Sequence, residues 1–299
     1  MGIAPAELDF LLHVAKRGVR FDQTLLLGRQ QFFRTTADSL VHSFGRAGTP
    51  VTTAQATALL KDRDGYAEDL FTLLGAGAVR SLDASTYEGA TDIHDLNEPL
   101  PPSDPRRASF SAVVDGGTLE HVFNFPEALR TAMQLVALDG HLLMMTPTND
   151  QDGHGFYQLS PEILFRAIGP ENGFMVEHCF VKEDHGHWYL VKDPAAVGQR
   201  IEFRTRHSAT LFLAARRTEV RDVFATWPQQ SDYSEAWNAG SGATAPSRSR
   251  GAGLAARARW LYRPAVKLRA RYLYPPQIGS RPEQFTKVAV NGDGERKRS

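Results

Sequence analysis

The sequence predicts an α/β fold, a three-layer sandwich with a mostly parallel sheet. From residue 76 onward, short apolar runs typical of buried strands alternate with segments of helical periodicity. The run 109–114 ends at Asp115-Gly116-Gly117, an acidic residue and a glycine turn that precede the next helical stretch. Such a turn is typical of the carboxyl end of a buried parallel strand, where ligands bind in open α/β sheets.

Composition sets the class of protein. The chain has 299 residues, of which 42% are hydrophobic and 23% charged, as in proteins that bury a sizeable core. Lys plus Arg equals Asp plus Glu at 34 each, so we predict no nucleic-acid partner. The single cysteine, Cys179, excludes a disulfide framework and a multi-thiolate metal site. With no signal-like leader and no apolar run long enough to span a membrane, we predict a cytoplasmic protein.

The first part of the chain predicts one buried strand among helices. Residues 6–17 carry leucines at helical spacing and predict an amphipathic helix. Residues 24–28 form an apolar run closed by Gly28 and predict the first parallel strand. Further helices are predicted over 37–45, 53–62 and 65–74, with breaks at glycine-containing turns.

The second part predicts the rest of the sheet. Strands are predicted at 78–82, 90–94, 109–114, 141–146, 174–181 and 210–215. Helices are predicted at 126–137 and from Ser160 to about Ile168, each with a proline at a favoured first-turn position. The last two strands are separated by an insertion that contains Trp188 and Tyr189.

Three regions follow from these patterns. We expect an N-terminal helix over 1–20, a main domain over 21–218 with a helical insertion at about 35–75, and a basic, partly disordered extension over 219–299. Within the extension, 254–276 combines six Arg or Lys residues with four aromatic residues and no acid. Three roles stay open for it: a helix docked on the domain, contact with an anionic membrane surface, or contact with an acidic partner or nucleotide-linked substrate.

The order of elements resembles that of class I S-adenosylmethionine-dependent methyltransferases over roughly residues 20–217. The stretches DGGTLEHVFNFPEAL and ALDGHLLMMTPTN are similar to the fourth-strand region, next helix and fifth strand of small-molecule members of the type 11 and 12 groups. HGFYQLSPE, from His154, resembles a subgroup met in bacterial glycan or secondary-metabolite gene clusters. The resemblance implies a Rossmann-like, mostly parallel seven-stranded sheet with a terminal antiparallel strand.

The resemblance also implies an S-adenosylmethionine site along the carboxyl ends of the first four sheet strands. Gly28, followed by Arg29, matches the loop after the first strand. Asp83 matches the acidic residue that bonds the ribose hydroxyls, and Asp95 with Leu96 matches the stretch that lies against the adenine. The implied reaction is methyl transfer to a hydroxyl or amine of a small molecule, such as a sugar or secondary metabolite.

The substrate side of this site follows the fourth and fifth strands. Asp115 and Gly116 match the segment beside the methionine part of the cofactor. His154 and Tyr157 follow the fifth strand and are the candidate catalytic residues, since a loop histidine can remove a proton from a hydroxyl. The alternative for His154 is a hydrogen bond that ties the loop to the core. No metal is predicted.

One departure leaves two functions open. Gly28 is followed by Arg29-Gln30-Gln31, whereas the family has glycines on which the cofactor lies directly. These side chains either project into the cofactor's space or turn away and line its rim. The chain is thus a methyltransferase, or a methyltransferase-like fold without catalysis that serves as a binding or assembly protein. For Glu120 and His121, helix packing is the simpler explanation.

Overall fold

The fold is a mixed α/β arrangement in which helices cover both faces of one large sheet, seen in a computed structural model that describes residues 2–231 and 277–291. Two apolar clusters form the core, one on each face. The predicted segment 254–276 lies outside the described residues. In the part of the chain that is described, no helix combines the length and apolar character needed to cross a membrane.

The element bounds are as follows. The helices are α1 Pro5–Ala15, α2 Ala37–Ala47, α3 Thr53–Lys61, α4 Glu68–Leu73, α5 Phe125–Leu135, α6 Pro161–Ala167 and α7 Pro194–Val197. Short 3₁₀ turns lie at Asp62–Gly65, Leu119–His121 and Pro170–Asn172. The strands are β1 Gly2–Ile3, β2 Gln23–Leu27, β3 Gln31–Phe32, β4 Ala78–Asp83, β5 Asp92–Ile93, β6 Phe110–Asp115, β7 Val136–Asn149, β8 Phe174–Glu183, β9 Trp188–Val191, β10 Ala209–Arg217 and β11 Phe285–Val288.

The large sheet has the strand order β11-β9-β8-β10-β7-β6-β2-β4-β5. Strands β5, β4, β2, β6 and β7 pair in parallel, and β10 lies antiparallel between β7 and β8. From β2 the chain builds outward through β4 and β5, and then returns to the other side of β2 for β6 and β7. The crevice between the carboxyl ends of β2 and β6 is therefore the topological switch point, where open α/β sheets bind ligands.

Alternation along β2 explains how the two layers form. Leu25 and Leu27 face the cluster that contains α5 and α6, whereas Leu26 faces the cluster that contains α1 to α4. All three side chains are fully buried. A continuous apolar run is what a parallel strand covered on both faces requires.

Within the described residues the sheet has nine strands rather than the predicted seven. The region around Trp188 and Tyr189, expected as an insertion, is the strand β9, and Phe285–Val288, expected in the C-terminal extension, is the edge strand β11. Trp188 is buried against Phe212, with ring centroids 4.7 Å apart. The partner of β11 is β9, nearly a hundred residues earlier in the chain. The local sequence around β11 therefore could not predict that it joins the sheet.

Strand β7 also begins earlier than predicted, and Asp139-Gly140 is a bulge within it rather than a turn before it. Phe110 of β6 pairs with Val136, but Ala112 pairs with His141, so β7 carries extra residues over this span. Asp139 has a φ of +59°. A Cβ on Gly140 would lie 2.8–3.1 Å from the carbonyl oxygens of Phe110, Ala137 and Ser111.

Substitution of this glycine tests the bulge. Gly140→Ala should lower the free energy of unfolding by about 2 kcal/mol, because backbone atoms rather than a mobile side chain must move. Gly45→Ala is the matched control, since Gly45 lies in α2 with open space around its Cβ position. Gly45→Ala should raise the free energy of unfolding by about 0.5–1 kcal/mol, because alanine has a higher helix propensity than glycine. Urea unfolding of both variants measures the two changes in the free energy of unfolding. Equal changes would contradict the close contact of Gly140 with the neighbouring carbonyl oxygens.

Candidate functional site

A cleft of about 810 Å³ lies at the carboxyl ends of β6, β7 and β8. Its floor includes Gly116 and Gly117 after β6 and Met145 in β7. Residues 2–7 form another wall, because β1 pairs with β3 and holds the N-terminal segment beside the loop that follows β2. A smaller, mostly apolar groove of about 430 Å³ lies beside α5 and α6, away from the strand ends.

The turn after β6 contains a fully buried carboxylate. Asp115 Oδ1 accepts hydrogen bonds from the backbone N–H of Thr118 (2.8 Å) and Leu119 (3.3 Å). Asp115 Oδ2 is buried and has no hydrogen-bond partner within the described ranges. Burial raises the pKa of Asp115 to about 6, although these backbone bonds act to lower it. Gly117 has a φ of +94°, which favours glycine.

A second buried carboxylate, Glu120, lines the cleft. Neither of its carboxylate oxygens has a hydrogen-bond partner among residues 2–231 and 277–291. Its Oε1 lies 3.4 Å from Nε2 of His154, a half-exposed side chain on the cleft wall. Burial, and then the negative charge of Asp115, raise the pKa of Glu120 to about 8. The structure therefore gives Glu120 an environment that helix packing alone does not explain.

The N-terminal wall carries another acidic group. Glu7, in the first turn of α1, lines the cleft, and its Oε2 is shielded from solvent with no hydrogen-bond partner in the described part of the chain. Burial raises the pKa of Glu7 to about 7; Lys182 opposes this rise and Asp184 adds to it.

The loop after β2 directs Arg29 towards α4 and the loop after β4. Arg29 Nε donates to Glu68 Oε1 at 2.6 Å, and its Nη1 donates to the carbonyl of Glu88 at 2.9 Å. The guanidinium also stacks on Tyr66, 3.7 Å from the ring centroid. Gly28 has a φ of +66° and donates its N–H to the carbonyl of Leu82. Arg29 is thus fixed next to the end of β4.

Gln30 takes the opposite direction and fills the gap between β2 and β6. Its side chain is fully buried, and its Nε2 donates to the carbonyl of Leu27 at 2.7 Å. A Cβ on Gly116 would lie 2.4 Å from Gln30 Oε1, so the two residues are in close contact. Gln30 Oε1 has no hydrogen-bond partner among the described residues.

The residues predicted to hold the nucleoside follow β4 and β5 and do not line the cleft. Asp83 is partly exposed at the end of β4, and its Oδ1 accepts from Ser85 N–H at 3.3 Å. Asp95 is exposed and accepts from the N–H (2.9 Å) and side-chain amide (2.8 Å) of Asn97, which lower its pKa. Leu96 is only 5% exposed and packs in the core, so its side chain offers an adenine little surface.

Only one of the two predicted catalytic residues, His154 and Tyr157, lines the cleft. His154 lines the cleft. Tyr157 does not line it: its hydroxyl donates to the carbonyl of Phe123 at 2.7 Å, and its ring packs 5.6 Å from that of Phe125. The position of Tyr157 therefore supports a structural role for its side chain rather than contact with a bound ligand.

Of the predicted site residues, Gly116 and His154 line the cleft, and Asp115 is fully buried directly before Gly116. Gly28, Arg29 and Asp83 do not line it. Sequence reasoning missed Glu7, left the direction of Gln30 open, and explained Glu120 by helix capping or packing. For Glu120, the signal in the sequence was its position shortly after the Asp115-Gly116-Gly117 turn, where a ligand site was already expected. Nothing in the sequence pattern identified Glu7, because only the β1–β3 pairing brings it there.

No protein-family model matches this chain, and no curated protein matches it. Similar solved structures include S-adenosylmethionine-dependent methyltransferases. One from Mesorhizobium loti is 17% identical, covering 50% of this chain and 84% of its own (TM-score 0.31). The Burkholderia thailandensis 1,6-didemethyltoxoflavin-N1-methyltransferase, with bound S-adenosylhomocysteine, is 15% identical. The match covers 70% of this chain and 79% of that protein, with a TM-score of 0.35. The trans-methyltransferase CalH, in complex with SAH, is 11% identical. The match covers 71% of this chain and 58% of CalH, with a TM-score of 0.36. Likenesses this distant do not extend to function.

The raised pKa of Glu7 predicts a pH effect on stability. Because the folded-state pKa of about 7 exceeds the usual 4.5, the folded chain keeps a proton that the unfolded chain releases between these values. Stability should therefore fall as the pH rises through this window. Glu7→Gln should remove this loss, so the variant gains about 2 kcal/mol relative to the wild type between pH 4.5 and 8. Urea unfolding at several pH values measures it, with the exposed Glu98→Gln as control. Parallel pH profiles for wild type and Glu7→Gln would contradict the assignment.

Proposed function

We propose that this protein is an S-adenosylmethionine-dependent methyltransferase that transfers a methyl group to a hydroxyl or amine of a small molecule, such as a sugar or secondary metabolite. One observation carries the proposal: buried acceptor oxygens without hydrogen-bond partners gather at the switch point between β2 and β6. Within the described ranges, these are Gln30 Oε1, Asp115 Oδ2 and both carboxylate oxygens of Glu120.

The chemistry of these acceptors fits the cofactor. A buried acceptor without a donor costs about 1–3 kcal/mol, so a ligand that brings donors or positive charge is favoured there. S-adenosylmethionine carries an ammonium and a sulfonium group. Asp83 adds a partly exposed carboxylate at the end of β4, and a carboxylate accepts hydrogen bonds from neighbouring hydroxyls well.

Each part of the site then has a role. Asp83 would hold the ribose hydroxyls, and Gln30 with Asp115 would accept from the ammonium group. When bound, the cofactor supplies an electrophilic methyl group. The cleft beyond Gly117 would hold the methyl acceptor, so the protein would contribute mainly alignment. His154 lies on the acceptor side of the cleft, where a proton must be removed from a hydroxyl.

A second candidate function is favoured by the packing of Gln30. Its side chain is fully buried against Gly116, in the space where the methionine part of the cofactor is expected. If Gln30 stays there, the chain is a methyltransferase-like fold that binds a ligand in the cleft without catalysis. Rotation of Gln30 breaks one short hydrogen bond, to the carbonyl of Leu27, at a cost of about 1 kcal/mol. That cost is small beside a typical binding energy.

Calorimetric titration with S-adenosylhomocysteine separates the two functions. We expect saturable binding, and Asp83→Asn should weaken it roughly tenfold or more, because a charged acceptor for two hydroxyls is lost. Asp22→Asn is the matched control, since Asp22 precedes β2 at the opposite end of the sheet and its side chain is exposed. Absence of binding at millimolar ligand would reject the methyltransferase function and leave the second one.

Gln30 gives an independent test. If its carbonyl accepts from the cofactor ammonium, Gln30→Ala should weaken S-adenosylhomocysteine binding about fivefold to tenfold. If Gln30 instead blocks the site, the same variant should bind the ligand more tightly than the wild type does. Gln31→Ala, which removes an exposed neighbouring side chain, serves as the control and should leave the affinity unchanged.

A further inference from the structure

The geometry points to a divalent transition-metal site formed by Glu120, His121 and His154 at the wall of the cleft. One carboxylate oxygen and two imidazole nitrogens from these residues all lie within 4.8 Å of one another. Bonds to zinc of about 2.0–2.2 Å place two ligand atoms of one ion at most about 4.4 Å apart, so a small side-chain rotation is enough to bring all three onto a single ion. Metal binding at this site can be tested whether or not the cofactor binds.

The backbone holds the three ligands together. Glu120 and His121 are consecutive residues of the 3₁₀ turn Leu119–His121, and the loop that carries His154 is bonded to this turn. The N–H groups of Phe156 (2.9 Å) and Tyr157 (3.3 Å) both donate to the carbonyl of Glu120. The arrangement is thus organised before any ion binds, which lowers the entropic cost of binding.

Gly155 makes this close approach of loop and turn feasible. A Cβ at this position would lie 2.9 Å from the carbonyl oxygen of Glu120 and 3.2 Å from Nδ1 of His121. Tyr157 fixes the same loop farther along, through its hydrogen bond to the carbonyl of Phe123. The rings of His121 and His154 consequently lie 5.2 Å apart at centroids, tilted by 47°.

Glu120 provides the second observation that points to a ligand. Its side chain is fully buried, faces the cleft and has no hydrogen bond within the described part of the chain. Buried carboxylates in proteins are normally paired or coordinate a metal. The nearest group is Nε2 of His154, at 3.4 Å, which a bound ion would bridge to the carboxylate. A bound cation would therefore compensate the burial of this charge.

The donor set selects the class of metal. Two imidazoles and one carboxylate suit zinc or another divalent first-row ion, whereas calcium and magnesium prefer oxygen ligands. Three protein ligands leave at least one coordination position open. Because Glu120 and His154 line the cleft, that position faces it and can bind an oxygen or nitrogen of the small molecule held there. With an ion bound, His154 is a ligand, and this role replaces the role in proton removal that the proposed function gives it.

Metal binding can be measured on the full chain without the cofactor. After chelator treatment, the protein is titrated with Zn²⁺, Mn²⁺ or Mg²⁺ by calorimetry, and the visible spectrum is recorded with Co²⁺. We expect one Zn²⁺ per chain with about micromolar affinity or better, weak Mg²⁺ binding, and a Co²⁺ spectrum typical of four- or five-coordinate nitrogen and oxygen ligands.

Variants identify the ligands. His154→Ala, His121→Ala and Glu120→Gln should each weaken Zn²⁺ binding roughly tenfold or more. His185→Ala is the matched control, because His185 also lines the cleft and also lies beside a second histidine. Its ring centroid is 6.2 Å from that of His207. His185→Ala should change the affinity less than about twofold. Since Glu120 is buried and its variant can misfold, the half-exposed His154 decides the outcome, with folding checked by circular dichroism.

Two results would overturn the site: no Zn²⁺ binding by the wild type, or Zn²⁺ binding that His154→Ala leaves unchanged. Neither depends on whether S-adenosylhomocysteine binds. A failed cofactor titration together with Zn²⁺ binding that requires His154 would reject the proposed function and retain the metal site.

Discussion

The central position of β2 is the constraint on which the rest of the structure depends. Its backbone pairs in parallel with β4 on one side and β6 on the other, which sets Leu27 opposite both Leu82 and Asp115. Strands that run in the same direction end at the same edge, so the loops after β2, β4 and β6 are brought together. Because β2 is buried on both faces, these loops are the parts of the three strands that can meet a ligand. The position of the candidate site is therefore a consequence of strand order.

Burial at that edge creates the unusual electrostatics. Asp115 and Glu120 are both fully buried, which raises the pKa of each, and the negative charge of Asp115 raises the pKa of Glu120 further. Backbone N–H groups of the turn satisfy one oxygen of Asp115, but the described residues provide no hydrogen bond to the side-chain carboxylate of Glu120. Such groups are costly to keep unless a ligand or ion completes them. The same deficit supports both the cofactor proposal and the metal proposal.

Particular residues show how far the candidate site could be predicted. Asp115 was identifiable because an acid before two glycines at a strand end is a local pattern, and the structure puts it at the switch point. Arg29 and Gln30 were recognisable as a departure from a glycine loop, but their directions were not. Arg29 turns to Glu68 and Gln30 turns to Gly116, and each partner lies far along the sequence. The assignments of Asp83 and Asp95 to the cofactor stay predictions.

The sequence by itself determined the mixed α/β class, the approximate positions of the strands β2, β4 to β8 and β10, and the acidic turn after β6. These features depend on apolar periodicity and turn residues within short windows, so they can be read locally. Only the tertiary structure decided that β9 and β11 extend the sheet, that residues 2–7 wall the cleft, and that His154 approaches Glu120. Each of these results joins segments that are distant in the chain. Their pairing is set by the packing of the whole molecule, which no local pattern encodes.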